Sequence, residues 1–244
     1  MTGINSQLDS IFNEWEKLVP KDMFVRDGIM RTIPNADKVW STSKRRIAFM
    51  MKDKSDGTGD DARNWLIDND DPNNQKNRRL GTKLFRNIAC VLYGLKHDEC
   101  DYANVANDAL LIDCLLKVPF AYIECKKEAG KGSLDDSVLQ QYLRGTHGEY
   151  LQSELSILQP NIYVCSGWPI NDFVRNMFAP EELYIQSYNL AYHIPSKTLI
   201  ILGYHPTART IHPPKNFAGV MNHYKDFLAT DYGKDFLASV VLNK

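Results

Sequence analysis

Four short apolar runs constrain this chain of 244 residues more than anything else in it, because each is separated from the next by enough residues for one or more helices. They are Arg46-Ile47-Ala48-Phe49-Met50-Met51, Pro119-Phe120-Ala121-Tyr122-Ile123, Ile162-Tyr163-Val164-Cys165 and Leu199-Ile200-Ile201-Leu202-Gly203-Tyr204. Continuous apolar runs of this length read as strands covered on both faces. Strands that alternate with helices favour parallel crossovers. The expected fold is therefore α/β, a three-layer α/β/α sandwich around a central, mainly parallel four-stranded sheet.

Helical periodicity fills the intervals. It predicts a first helix over about 5–18, a long helix carrying Leu80, Leu84, Ile88, Leu92 and Leu95, and another near 104–117. A helix over about 134–158 is closed by Pro160, a further one lies near 170–178, and the tail from Phe217 returns to helix. The stretch 183–193 reads as one extra strand, and Asp60 as the cap of a short helix bearing Trp65 and Leu66. The Asn/Asp-rich segment 68–77 is the most loop-like. No repeat or low-complexity linker divides the chain. One domain is expected over 1–244, with the first helix packed on a core spanning about 44–210.

At 43% hydrophobic residues the chain can fill a sizeable core, while a net charge of −1 excludes a global basic field of the kind that binds nucleic acid non-specifically. Any such partner has to meet a local patch. The five cysteines form no C-x-x-C, which argues against a zinc ribbon or an iron–sulfur cluster, and neither a metal nor another cofactor is expected. Asp9, Glu14, Glu16 and Lys17 interrupt any apolar leader, and no segment is apolar enough to span a membrane, so the expected setting is reduced and cytoplasmic.

The chemistry gathers at strand ends. The last run stops at His205-Pro206-Thr207, where proline ends regular pairing, and the first runs into Lys52-Asp53-Lys54 and a Gly/Asp-rich loop. The second leaves Glu124, Lys126 and Lys127 at its exit, and the third turns at Ser166-Gly167. A carboxylate and an imidazole at the exits of buried strands are the simplest pair from which a hydrolytic site is built. The competing readings are a strand-end ion pair of Asp53 with Lys52 or Lys54, a structural His205, and a solvated Glu124–lysine cluster. Lys52, Lys54, Lys126, Lys127, Lys131, Arg209 and Lys215 all fall near strand exits, the sequence evidence for an anionic partner at that rim.

In order and spacing, from about residue 44 to 210, these motifs resemble the uracil-DNA glycosylase superfamily. Met51-Lys52-Asp53-Lys54 stands where that family carries its water-activating acidic residue. His205-Pro206-Thr207-Ala208 stands where it carries His-Pro-Ser or a close variant, and Pro160 to Gly167 looks like its "Pro, apolar strand, Gly" segment. Ile123-Glu124-Cys125-Lys126 replaces the expected base-reading Asn, and an ionised Glu only accepts hydrogen bonds, which argues against a uracil edge.

The resemblance implies hydrolysis of an N-glycosidic bond, removing uracil or another modified base from DNA or a related nucleotide. Asp53 and His205 would be catalytic. Asp53 would stabilise the developing sugar cation and orient water, and His205 would donate to the departing base oxygen. Lys52, Trp65, Glu124, Lys126, Gly167, Tyr204, Thr207 and Arg209 are the candidate substrate-binding residues, and Trp65, Tyr204 and Trp168 are the candidate stacking platforms. The alternatives are a non-catalytic nucleic-acid- or nucleotide-binding protein, or an interaction protein with a vestigial pocket.

Overall fold

A computed structural model describes residues 3–54, 58–66, 80–130 and 134–240. Seven strands form one mixed sheet: β1 (Gly28–Ile29), β2 (Ile47–Asp53), β3 (Phe120–Lys126), β4 (Ile162–Cys165), β5 (Leu183–Ser187), β6 (Leu190–His193) and β7 (Thr198–Leu202), in the order β1-β3-β2-β4-β7-β6-β5. The four runs picked out in the sequence are its parallel centre, β3-β2-β4-β7. β1 pairs antiparallel with β3, and the β5–β6 hairpin adds antiparallel to β7.

The expected four-stranded sheet is thus extended by three strands. Two come from 183–193, where a turn at Tyr188 and Asn189 folds what the pattern read as one strand into two. The third, β1, is two residues long and too short to leave a periodic trace.

Period-two alternation divides the side chains between two cores. Ile47, Phe49, Met51, Phe120, Tyr122, Val164 and Ile201 point to one face. There α3 (Lys83–His97), α5 (Asp108–Lys117), α9 (Pro213–Leu228) and α10 (Asp231–Val240) pack over them. Ala48, Met50, Ile123, Cys125, Tyr163 and Ile200 point to the other. It is covered by α1 (Ile4–Trp15), α2 (Ala36–Thr42), α6 (Asp136–Arg144), α7 (Thr146–Leu158) and α8 (Trp168–Arg175). The short α4 (Tyr102–Val105) precedes α5, and Asn107 restarts the helix by accepting from the N–H groups of Ala109 and Leu110.

Several helices differ from their sequence reading for local reasons. The stretch 134–158 breaks at the extended Gly145, and the chain turns so tightly there that a Cβ on Gly148 would collide with the Leu143 carbonyl oxygen. Asp61, not Asp60, caps the turn Ala62–Asn64 by accepting from Arg63 N–H. α2 went unread because only Trp40 and Ala36 are buried on it; the Trp40 indole N–H donates to the Leu158 carbonyl at 2.8 Å and fastens α2 to the end of α7. The segment 68–77 lies outside the described residues, as do Lys131 and the last four residues. Among the described residues no helix is long and apolar enough to cross a membrane, and all five cysteines are free thiols.

Candidate functional site

The carboxyl ends of the parallel strands open onto a pocket of about 310 Å³. This edge is where loops leaving an open α/β sheet converge. Asp53, Glu124, His205, Thr207 and Trp65, five of the residues picked from sequence, line it together. Lys54, Asp60, Leu84 and Tyr122 complete the wall.

Asp53 ends β2 opposite Lys126 of β3, with Met51 opposite Glu124 two residues deeper. Among the described residues its carboxylate has no hydrogen bond or ion pair. The flanking lysines, its partners in the competing reading, are engaged elsewhere. Lys52 Nζ lies 2.5 Å from Asp136, and Lys54 Nζ lies 2.8 Å from Asp60 and donates to the Thr58 carbonyl. Lys126 donates to the Glu128 carbonyl at 2.8 Å. Burial raises the Asp53 pKa, and the charges of Lys126 and then Lys52 act against the rise, so the group gains basicity. Gly130 makes room for it, since a Cβ there would strike Asp53 Oδ2.

His205 follows β7 on a loop held from two helices. Asn87 of α3 donates to the Pro206 carbonyl at 2.6 Å, and Lys83 donates to the Ala208 carbonyl. Asn216 of α9 donates to the Tyr204 and His205 carbonyls, each at 3.4 Å. The Thr207 backbone N–H donates to His205 Nδ1 at 3.2 Å, with Thr207 Oγ1 at 2.9 Å from the same nitrogen. An N–H can only donate, so Nδ1 is an acceptor and the neutral ring carries its proton on Nε2. Burial, then the nearby Lys52 charge, depresses its pKa to about 4, keeping the ring neutral at physiological pH.

Glu124 departs from its sequence reading. It is not a solvated residue past the strand end but lies within β3, 1% exposed. The Tyr122 hydroxyl donates to its Oε1 at 2.6 Å, and its own backbone N–H donates to Asp27 Oδ2 at 2.6 Å. Burial, opposed by the Tyr122 hydrogen bond and reinforced by Asp27 and Asp53, pushes the carboxyl up to about 8. At neutral pH it is mostly an acid with an O–H to give, so the objection that it can only accept falls away.

Behind it Lys127 is fully buried, its Nζ 2.5 Å and 2.6 Å from the two Asp27 oxygens and 2.7 Å from Glu154 Oε2. Phe12 and Trp15 face the ammonium at 5.4 Å and 5.2 Å. Lys127 therefore belongs to the support of β3 and offers no charge to a ligand.

Trp65 lies 5.4 Å from the Tyr122 ring, and its indole N–H donates to Asp60 Oδ2 at 2.8 Å. With Leu84 these rings give the pocket an apolar side. Asp60 and Asp61 are not a free carboxylate pair: Asp61 binds Arg63 and Arg31, and Asp60 binds Lys54 and Trp65.

The other five candidates stand outside this lining. Lys52 crosses Gly167, whose φ of 131° and lack of a side chain let the lysine stem pass; a Cβ there would come 3.2 Å from Lys52 Cε. Lys126 lies over Tyr142. Tyr204 is 43% exposed, with Lys215 5.9 Å from its ring centre, and Arg209 is exposed on the loop beyond Thr207. The basic rim expected for an anionic partner is therefore largely neutralised, because Lys52, Lys54 and Lys126 all pair with carboxylates.

Tyr122 and Asp27 are the functional positions that sequence reasoning missed. Tyr122 carried a signal, lying two residues before Glu124 on the same face of β3. Asp27 carried none, because its contact with Glu124 joins positions 97 residues apart. A scan against models of protein families matches none to this chain, and a search of curated proteins likewise finds no match.

Proposed function

We propose that this protein hydrolyses the N-glycosidic bond of a nucleotide unit, releasing uracil or another modified base from DNA or a related nucleotide. The observation that carries the reading is the convergence of a carboxylate unpaired among the described residues, Asp53, and a neutral imidazole with Nε2–H available, His205, on one pocket. Cleavage of such a bond leaves positive charge on the sugar and negative charge on the base. Asp53 holds and activates the water and stabilises the sugar cation, while His205 Nε2–H donates to the base oxygen on which charge collects. His205 is already in the neutral form this role needs.

The order of the strand exits, acid first and His-Pro-Thr last, is that of the uracil-DNA glycosylase superfamily and supports the same chemistry. The three-layer arrangement around four parallel strands supports the fold part of that resemblance. A pocket of this volume suits a base-sized group, with the apolar wall of Trp65, Leu84 and Tyr122 against its flat face.

Oligonucleotides and free nucleotides carrying deaminated, alkylated or oxidised bases, screened by chromatography for liberated base, test the reading. Release from at least one is expected. No release from any member, with salt-dependent oligonucleotide binding retained, would replace the enzyme by a binding protein.

A further inference from the structure

The pocket contains a buried polar atom that nothing in the described chain satisfies. Glu124 Oε2 is inaccessible to solvent and has no hydrogen-bond partner, although Glu124 lines the cavity. Its sister Oε1 accepts the Tyr122 hydroxyl. Because Tyr122 donates, Oε1 takes the carbonyl role and the acid proton belongs on Oε2. The register places Glu124 two residues inside Asp53 along the sheet, away from the strand exits where Asp53 and His205 stand. A base entering with its glycosidic bond towards Asp53 brings its far edge to Glu124.

We propose that Glu124 binds the ligand through Oε2 as a hydrogen-bond donor, so that the pocket accepts a base presenting a carbonyl oxygen there and rejects one presenting an amino group. This deepens the base-binding reading above and rests on it. An O–H facing a carbonyl makes a bond, whereas an O–H facing an N–H₂ sets donor against donor and leaves both unsatisfied in a dry site.

The surroundings hold the proton in place. Asp27, from the segment before β1, accepts the Glu124 backbone N–H, and Asp53 of β2 adds a second negative charge across the pocket. Lys127, the nearby cation, is taken by Asp27 and Glu154, and Lys54 by Asp60. His205 is neutral and adds no positive charge. The same surroundings make the preference reversible. Above about pH 8 the acid ionises, Oε2 becomes an acceptor, and the pocket should turn from carbonyl towards amino ligands.

Uridine and cytidine differ at one position of the pyrimidine ring in this respect and serve as probes. Their affinities for the intact protein are measured by calorimetry at pH 6.5 and pH 8.8, alongside Glu124→Gln, whose amide keeps a donor at every pH. Uridine should bind about tenfold tighter than cytidine at pH 6.5, as one well-made bond against one unsatisfied pair implies. That preference should shrink severalfold at pH 8.8 in the wild type and persist in E124Q. Equal binding at pH 6.5, or a wild-type preference unchanged at pH 8.8, overturns the role of Glu124 and leaves the base pocket standing. No binding of either nucleoside overturns the base pocket and this inference with it.

Discussion

The backbone N–H of Thr207 donates to Nδ1 of His205 at 3.2 Å, fixing the imidazole as an Nε2–H tautomer three residues past the last parallel strand. This bond, more than the identity of the histidine, decides what the group can do: donate to an oxygen without first being charged.

The tautomer is directly measurable. Nitrogen chemical shifts of the His205 ring should report a neutral Nε2–H form from pH 8 down to about pH 5, with titration near 4 because burial excludes the charged form. The sign for stability follows. A histidine depressed in the folded state contributes stability above the unfolded value near 6.5, and that contribution is lost as pH falls from there through 4. Urea midpoints of His205→Gln should therefore fall less than those of the wild type over that interval.

Glu124 has the opposite sign. Its carboxyl is raised from 4.5 to about 8 on folding, so the folded chain keeps a proton the unfolded chain has released. Stability falls as pH climbs through that window. Glu124→Gln, which cannot ionise, should lose less stability than the wild type between pH 5 and pH 8 in matched denaturant titrations.

Gly130 separates geometry from folding. A Cβ at this position strikes Asp53 Oδ2, and the residue sits on a loop rather than inside a strand or helix. Gly130→Ala should lower the rate of the proposed base release by at least about tenfold, the cost of displacing Asp53, the proposed general base, from its geometry, with little change in melting temperature. Thermal melts and single-turnover assays on one preparation distinguish the two effects.

Lys127 should behave as a structural residue. Its Nζ pairs with Asp27 and contacts Glu154, all three being fully buried, and burial and the Asp27 charge raise the Glu154 pKa well above its ordinary value, so Lys127→Met leaves the buried Asp27 carboxylate uncompensated. Chemical denaturation should show a loss of about 3–5 kcal/mol, the range for breaking a buried ion pair from one side.

Much of this site was legible because its parts are punctuated locally. An apolar run that halts at His205-Pro206, or passes into Asp53 between lysines, marks a strand exit, and parallel exits must share an edge. Glu124 was misread for an equally physical reason. Ile123-Glu124-Cys125-Lys126-Lys127 carries three charges in five residues and reads as solvated, yet the strand runs on to Lys126 because Asp27 and Glu154 arrive from distant segments to satisfy Lys127. The fate of the lysines flanking Asp53 was hidden in the same way, since the Asp136 carboxylate that takes Lys52 lies 84 residues away. The β-hairpin after α8 escaped notice because its Tyr188-Asn189 turn lacks the glycine that usually marks one.

Single-turnover release of free base tests the central claim most directly, using the best substrate from the screen with wild type, Asp53→Asn and His205→Ala at pH 7. Both substitutions should leave the folded spectrum intact and slow release by roughly 10²–10⁴-fold, the range for removing one positioned proton-transfer group. Release at the wild-type rate from either folded variant would contradict the assignment of Asp53 and His205 as the pair that carries the reaction.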